Sequence, residues 1–185
     1  MASEFQRRKI AGVFSAMDAD DDGFLDESDF TALTTRWTGI RGAAPGSDDH
    51  TRLTAIMMGW WQTLLASSDL DRDAKVTLDE VLVVTDQLGN MADAVTATAQ
   101  NMFDAIDENR DNTISASEYR RLIEAWNGTD TDTDETFPLL DLDHDGLISR
   151  DEFTELWTQF WVSDDPRLPG TWVFGRFDLA GSAAT

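Results

Sequence analysis

Four segments of this chain repeat one twelve-residue acidic pattern, and the repeat constrains where turns, ligands and helices can lie. The clearest copy spans residues 141–152, whose acidic ligand positions are Asp141, Asp143, Asp145 and Glu152. Alternating aspartates surround one point, a glycine at the sixth position allows a sharp turn, and the final acid reaches back from the next helix. One copy can arise by chance in an acidic chain, whereas four with matching apolar flanks cannot. The repeat predicts four helix–loop–helix calcium sites.

The predicted ligands stand at positions 1, 3, 5, 7 and 12 of each loop, and position 7 contributes its backbone carbonyl oxygen. We expect up to four Ca²⁺ ions as cofactors, with Mg²⁺ as a competitor. The predicted metal ligands are Asp18, Asp20, Asp22, Phe24 and Asp29 in loop 1; Asp69, Asp71, Asp73, Lys75 and Glu80 in loop 2; Asp107, Asn109, Asp111, Thr113 and Glu118 in loop 3; and Asp141, Asp143, Asp145, Leu147 and Glu152 in loop 4.

Loops 1 and 2 each depart from this pattern at one position. Loop 1 closes on Asp29, one methylene shorter than glutamate, which favours a single oxygen ligand and hence Mg²⁺ competition. Loop 2 carries Ala74 where the turn needs a left-handed backbone, at a cost of about 1–2 kcal/mol. That cost equals roughly a five- to thirtyfold loss of affinity. Loop 2 is therefore expected to be the weakest site.

Loops 3 and 4 carry smaller departures or none. Asn112 takes the turn of loop 3, and asparagine tolerates the left-handed region well. Loop 4 is complete, and His144 at its fourth position is expected to be a solvated side chain.

Apolar residues at fixed distances from the loops predict the helices and their pairing. Position 8 is always aliphatic, which favours short antiparallel pairings of loop 1 with loop 2 and of loop 3 with loop 4. The predicted fold is all-α, with four EF-hands (eight helices) in two paired lobes packed into one compact unit. The position 8 residues are Leu25, Val76, Ile114 and Ile148.

Spacing along the chain predicts the remaining organisation. Loops 1 and 2 begin 51 residues apart and loops 3 and 4 only 34 apart, and the surplus contains a Gly- and Pro-rich loop and a long helix from Asp48 to Ser68. Gly89 and Asn90 predict a helix stop between the lobes. Pro138 should bend the helix before loop 4 unless that helix starts late. The predicted units are residues 1–90, 91–162 and a tail of 163–185.

The tail combines helix-breaking and apolar residues. Pro166, Pro169 and Gly170 argue against a helix, whereas the apolar residues that follow argue against a free tail. Either these side chains fold back onto the interior or they form a docking segment for a partner, and residues from Gly181 onward are expected to fray. The apolar residues are Trp172, Val173, Phe174 and Phe177.

Composition excludes several classes of function. The chain carries a formal net charge of −22, which disfavours nucleic acid and anionic membrane surfaces as partners. Seven Trp and ten Phe supply a core, and the absence of Cys removes disulfides and thiol chemistry. No signal-peptide pattern and no membrane-spanning apolar run are present, so we expect a cytoplasmic monomer.

The chain resembles the sarcoplasmic calcium-binding proteins and their bacterial relative calerythrin, from the first helix to Phe177. The wide spacing of loops 1 and 2, the aromatic content and the apolar tail favour this group over calmodulin. The resemblance implies a compact intracellular four-hand protein in which a loop can be degenerate. In calerythrin-like chains the second hand is the usual one to degenerate, whereas here its acidic ligands are all present.

Three hypotheses for function remain open. A calcium buffer or store is favoured because an aromatic core is rigid, whereas target grooves are Met-rich and adaptable. The alternative is a sensor that exposes an apolar surface to an unknown protein partner, for which the unequal loops argue. An enzyme or small-molecule carrier is the third. We predict no enzyme and no catalytic residues, because no Cys is present and two distant His cannot complete a nucleophile–base set.

Overall fold

Helices flank each of the four acidic loops in the computed structural model, which describes residues 3–88 and 92–176. Eight α-helices lie in these ranges, as predicted. They are α1 (Glu4–Met17), α2 (Glu27–Arg41), α3 (Asp48–Ser68), α4 (Leu78–Leu88), α5 (Ala92–Ile106), α6 (Ala116–Asn127), α7 (Phe137–Leu140) and α8 (Arg150–Val162), with strands β1 (Thr113–Ile114) and β2 (Ile148–Ser149). The predictions for Gly89, Asn90, Phe177 and the end from Gly181 concern residues outside the described ranges.

The ninth residue of each loop begins the helix that follows the loop. Ser149 caps α8 by accepting a hydrogen bond from Glu152 N at 3.2 Å, and Glu152 accepts one from Ser149 N at 2.7 Å. This reciprocal pair is a capping box, which satisfies two backbone N–H groups of the first turn. The residue at position 12 is therefore the last predicted ligand of its loop and also part of the cap of the helix that follows. The other residues in such pairs are Asp26 with Asp29, Thr77 with Glu80, and Ser115 with Glu118.

The loops pair as the aliphatic position 8 predicts. Leu25 and Val76 exchange backbone hydrogen bonds of 2.8 and 2.9 Å, and Ile114 lies opposite Ile148 in the antiparallel pair β1–β2. These four side chains are at most 1% exposed, so each pairing is anchored in the interior. The two short pairings fix the distance between the loops of a pair.

Residues of both loop pairs form one continuous apolar core. Trp61 of α3, Trp126 of α6 and Trp157 of α8 are each about 2% exposed. Trp60 of α3 stacks on Trp126, with ring centroids 5.7 Å apart and an interplanar angle of 29°. Helix α2 of the first half packs on α6 of the second, and α3 packs on α5, so both halves contribute helices to this core. The boundaries of the three predicted units stay a prediction.

Two proline-containing segments differ in how well they were predicted. Pro138 occupies the first turn of α7, which has only four residues and starts late, so the helix avoids a bend. The expectation of no helix at Pro166, Pro169 and Gly170 is wrong in part, because residues Pro169–Trp172 form a short 3-10 helix. Proline at the start of such a helix loses no internal hydrogen bond.

The tail returns to the core after this 3-10 helix. Val173 and Phe174 are 2% and 7% exposed, and the Phe174 ring lies 4.9 Å from that of Phe160 and 5.0 Å from that of Trp126. The buried Tyr119 hydroxyl donates a hydrogen bond to the Trp172 carbonyl oxygen at 3.0 Å. These contacts close the core on the side of α6 and α8.

None of the helices in the described ranges is long and apolar enough to cross a membrane.

Candidate metal centres

The first aspartate of each loop stabilises the turn by accepting hydrogen bonds from its backbone N–H groups. In loop 4, the carboxylate of Asp141 accepts hydrogen bonds from Asp145 N at 3.2 Å and from Gly146 N at 2.8 Å. Backbone N–H groups therefore orient both carboxylate oxygens without the help of an ion. The equivalent residues Asp18, Asp69 and Asp107 accept the same two bonds in loops 1, 2 and 3.

The acidic residue at position 12, called here the closing acid, accepts hydrogen bonds from backbone groups near both ends of its loop. Glu152 accepts hydrogen bonds from Leu142 N at 2.9 Å and from Ser149 N at 2.7 Å, one on each oxygen. Asp29 does the same in loop 1, where Ala19 N lies at 2.9 Å and Asp26 N at 2.8 Å. The shorter aspartate thus spans the same pair of backbone groups as glutamate. Its predicted ligation through one oxygen stays a prediction.

Two positions in every loop have a left-handed backbone. At position 6, φ is +85° for Gly23, +66° for Ala74, +64° for Asn112 and +90° for Gly146. The predicted strain at Ala74 is therefore present in the fold. Position 4 is also left-handed in all four loops, which the sequence analysis missed. The residues at position 4 are Asp21, Arg72, Arg110 and His144. His144 is exposed.

Carboxylate oxygens converge in three loops at spacings that fit one calcium ion. Two oxygens on the same ion are at most about 5 Å apart, because Ca–O distances are about 2.3–2.6 Å. One oxygen from each member of a set lies within 4.8 Å of the others. The sets are Asp18, Asp20 and Asp22; Asp69, Asp71 and Asp73; and Asp141, Asp143 and Glu152.

Loop 3 uses an amide in place of one carboxylate. The Asn109 amide nitrogen donates to Asp111 Oδ2 at 2.9 Å, and its side-chain oxygen accepts from Asp111 N at 2.9 Å. Asp107 and Glu118 are each 3% exposed, so the ends of the ligand set are buried. Hard oxygen donors of this kind suit calcium in all four loops.

The closing acids differ in their ionisation. Burial raises the pKa of Asp29 above its usual value, despite hydrogen bonds from Asp26 N and Ala19 N. Burial acts in the same direction on Glu80 and Glu152, but hydrogen bonds from Thr77 and Ser149 outweigh it and lower the pKa of both. Loop 1 therefore has the closing carboxyl that takes up a proton more readily than these two.

Lys75 was predicted to bind the ion through its backbone carbonyl oxygen, and its side chain makes a further contact that this prediction did not include. Its ammonium nitrogen lies 3.4 Å from Asp22 Oδ2, 3.9 Å from Asp26 Oδ2 and 4.9 Å from the centre of the Phe24 ring. The hydrogen bond to Asp22 raises the pKa of Lys75. The antiparallel pairing of Leu25 with Val76 places Lys75 opposite Asp26. The contact of Lys75 with loop 1 could therefore have been predicted from the pairing of the two loops. Lys75 competes with an ion for the Asp22 carboxylate.

Two arginines from the first half of the chain hold the start of loop 3. Arg41 donates a hydrogen bond to Ala105 O at 2.6 Å, and Arg52 donates one to Asp107 O at 3.0 Å. The Arg41 side chain is 1% exposed and lies 3.7 Å from a carboxylate oxygen of Glu108. Contacts between residues more than 50 positions apart are invisible in the loop pattern. They connect α2 and α3 to the third site.

Four helix–loop–helix units, paired through position 8 and lined by oxygen donors, define a calcium-binding protein of the EF-hand class. Residues 7–84 and 96–158 match the family model described as an EF-hand domain pair. Because these residues make up most of the chain, the protein belongs to the EF-hand family.

Its likeness to sarcoplasmic calcium-binding proteins extends over almost the whole chain. The sarcoplasmic calcium-binding protein of Scylla paramamosain is 28% identical, with 95% of this chain and 97% of the relative covered. The sarcoplasmic calcium-binding protein of amphioxus has a similar structure, with a TM-score of 0.70, 17% identity, and 96% of this chain and all of that one covered. The resemblance to this group is thus confirmed, whereas that to calerythrin stays a hypothesis.

A second solved structure has the same fold. The calcium-loaded apo form of coelenterazine-binding protein from Renilla muelleri aligns with a TM-score of 0.75 and 20% identity, covering 95% of this chain and all of that one. At this identity the likeness shows the fold alone.

Proposed function

We propose that this calcium-binding protein acts as an intracellular calcium buffer or store. The observation that supports the proposal is the closed aromatic core, in which the tail residue Phe174 contacts rings from α6 and α8. A sensor needs an apolar surface that becomes accessible, and its grooves are usually rich in methionine. Here Met17, Met57 and Met102 are at most 5% exposed, within the core.

The ions are held by the twenty ligands named in the sequence analysis. Carboxylate oxygens at positions 1, 3, 5 and 12 and the carbonyl oxygen at position 7 supply each ion's shell, except that loop 3 offers the Asn109 amide oxygen at position 3. Mg²⁺ competes most at loop 1, where Asp29 is shorter, and loop 2 is weakest because of Ala74. Each ion neutralises crowded carboxylates, and binding only to the native state stabilises the fold by mass action.

The proposal includes a cytoplasmic monomer that binds neither nucleic acid nor membranes. The formal charge of −22 supports this, because phosphate backbones and anionic lipid surfaces repel such a protein.

A sensor is the second candidate, and the inequality of the loops favours it. Loop 2 carries a strained turn at Ala74, and the Lys75 ammonium lies 3.4 Å from Asp22 in loop 1. Both features weaken the first pair, so its sites could fill only during a calcium rise while loops 3 and 4 stay occupied.

A calcium titration by calorimetry, with millimolar magnesium and an apolar-surface dye, separates the two candidates. A buffer binds calcium tightly at three or four sites while dye fluorescence stays flat or falls. A sensor binds at micromolar calcium with rising dye fluorescence. The variant Glu152→Gln serves as a control because it removes one site-4 charge and should lower the affinity of that site alone. Equal melting temperatures in calcium and in chelator would contradict both candidates.

A further inference from the structure

A cavity of about 140 Å³ lies between α1, α3, α4, α5 and α8, and none of the predicted calcium ligands lines it. Its walls are mainly aliphatic and aromatic, with Ile10, Leu64, Val95 and Trp157 among them. Among the described residues that line it, none carries a charge. Apolar cavities of about 150 Å³ accept a single aromatic ring.

Most hydroxyl groups in this wall already have partners. Thr98 accepts a hydrogen bond from Trp157 Nε1 at 3.1 Å and donates one to Val95 O at 2.8 Å. Thr85 donates to Val81 O at 2.8 Å, and Thr63 donates to Gly59 O at 3.0 Å. The polar groups of these threonines are therefore satisfied within the protein.

Two polar groups of the wall differ from these threonines. Ser68 is fully buried, and its hydroxyl has no hydrogen-bond partner among the described residues. The indole N–H of Trp161 is also buried and unpartnered within the described part of the chain. Buried donors without partners are uncommon in native proteins, because each loses its hydrogen bond to water without compensation. Because neither atom has surface that a water molecule reaches, each donates to a ligand's acceptor once the wall shifts slightly around it.

We propose that this cavity binds a small neutral molecule that has one aromatic ring and one hydrogen-bond acceptor, such as a carbonyl oxygen. The ring packs on the apolar wall, and the acceptor receives a hydrogen bond from the Ser68 hydroxyl or the Trp161 N–H. A charged ligand, including a fatty acid carboxylate, is disfavoured because the wall has no countercharge for it. The cavity gives the protein a second class of ligand, beside the calcium ions of the loops.

The experiment uses a matched pair of probes, acetophenone and ethylbenzene. They share one carbon skeleton, and acetophenone differs only by the carbonyl oxygen that replaces the two benzylic hydrogens of ethylbenzene. Calorimetry is done at saturating calcium, because Met17, Ser68 and Val81 line the cavity and adjoin predicted ligands. We expect one molecule of either probe per chain, and acetophenone should bind roughly three- to tenfold more tightly.

Variants of two adjacent serines test the polar contact. Ser68→Ala should reduce the preference for acetophenone over ethylbenzene. Ser67→Ala is the control, because the Ser67 hydroxyl already donates to Thr63 O at 2.8 Å and should leave both affinities unchanged. Trp161→Phe removes the other donor. Acetophenone preference that survives when Ser68→Ala and Trp161→Phe are combined in one protein would overturn the assignment of the donors.

A third variant tests the location. Val95 is 3% exposed in the wall, and Val95→Phe fills the cavity, so it should abolish saturable binding of both probes. Calcium titration of Val95→Phe shows whether this variant keeps the fold. If it does not, the comparison of Ser68→Ala with Ser67→Ala decides the outcome. Absence of saturable binding to the unmodified protein, or unchanged binding to a folded Val95→Phe, would overturn the proposal.

Discussion

At the scale of single residues, the four loops differ mainly at the turn position. Ala74 has the same left-handed backbone as Gly23 and Gly146, with φ at +66°, although its Cβ makes that conformation costly. The carboxylates around it have the same hydrogen bonds as in the other loops, since Asp69 accepts from Asp73 N and Ala74 N. The weakness of loop 2 is therefore expected to lie in its backbone and not in its ligands.

Replacing Ala74 with glycine should strengthen calcium binding at loop 2. Relief of about 1–2 kcal/mol of strain corresponds to at most a five- to thirtyfold gain in affinity, if the loop leaves the left-handed conformation without calcium. Calorimetric titration of Ala74→Gly beside the unmodified protein measures the gain. Asn112→Gly is the matched control, since asparagine tolerates the same φ, and it should change affinity less. Equal effects at both positions would show that the turn does not distinguish the loops.

Much of each site could be predicted from residue types, because the ligand positions repeat at fixed spacing. The oxygens of Asp141, Asp143 and Glu152 do converge, as that spacing requires. The left-handed backbone at position 4 could not be predicted, because Arg72 and Arg110 have no preference for it. There the geometry of the whole loop overrides the preference of the residue.

At the scale of elements, the tail depends on a close approach between Gly170 and α8. A Cβ atom built on Gly170 would lie 2.4 Å from the Leu156 carbonyl oxygen and 2.5 Å from Gln159 Cβ. Gly170 N also donates to the Gln159 side-chain oxygen at 2.9 Å. No other residue type fits there without movement of the tail, which explains a glycine inside a 3-10 helix.

Gly170→Ala should therefore destabilise the protein by displacing the tail. Overpacking of this kind costs about 1–3 kcal/mol. Thermal unfolding at saturating calcium measures the change, and the dye signal should rise as Phe174 leaves the core. Gly39→Ala is the control, because a Cβ at Gly39 in α2 meets no atom within 4 Å. A Gly170→Ala protein as stable as the control would mean that the tail does not close the core.

The helices were predictable to different degrees for physical reasons. Helix α3 has the bounds Asp48–Ser68 that the long apolar stretch predicts, because Ser47 caps it and loop 2 ends it. The 3-10 helix at Pro169–Trp172 was missed because proline and glycine disfavour α-helix without excluding one short turn. The capping boxes were also missed, although serine and glutamate at positions 9 and 12 carry the signal.

At the scale of the whole molecule, a buried lysine connects the first and last long helices. The Lys9 side chain of α1 donates hydrogen bonds of 2.6 Å to Phe160 O and to Ser163 O at the end of α8. Lys9 as a whole is only 1% exposed to solvent. Burial lowers the pKa of Lys9 from 10.5 to about 8, although the nearby Asp164 acts in the opposite direction. Folding therefore disfavours the protonated form of this amine.

This pKa predicts that stability rises with pH between about 8 and 10.5. In that window Lys9 is protonated in the unfolded chain and deprotonated in the folded protein, so unfolding takes up a proton. The free energy of unfolding therefore increases as the pH rises. Lys9 contributes at most about 3 kcal/mol to this rise, at roughly 1.4 kcal/mol for each pKa unit. Denaturant unfolding across this range at saturating calcium should show the rise, and Lys9→Met should remove it.

The control for this prediction is Arg8→Met on the same helix. Arginine stays charged throughout the range, so this variant should keep the full pH dependence. An identical pH profile for Lys9→Met and Arg8→Met would mean that Lys9 is not the titrating group.

Contacts between the two halves were the least predictable part of the structure. The aromatic content predicted a shared core, but not that Trp60 would stack on Trp126, or that Arg52 would bind the Asp107 carbonyl. Such pairs follow from how eight helices pack and from no local pattern in the sequence.

The stacked indoles also give the molecule an optical signal of its own. Trp60 lies 5.7 Å from Trp126 and 6.3 Å from Trp157, which in turn lies 5.8 Å from Trp161. Fixed packing of aromatic rings gives near-ultraviolet circular dichroism, which is lost when the packing is lost. Because Trp60 comes from the first half of the chain and the other three come from the second, this spectrum reports whether the halves are joined. Separation of the halves can thus be followed without a label.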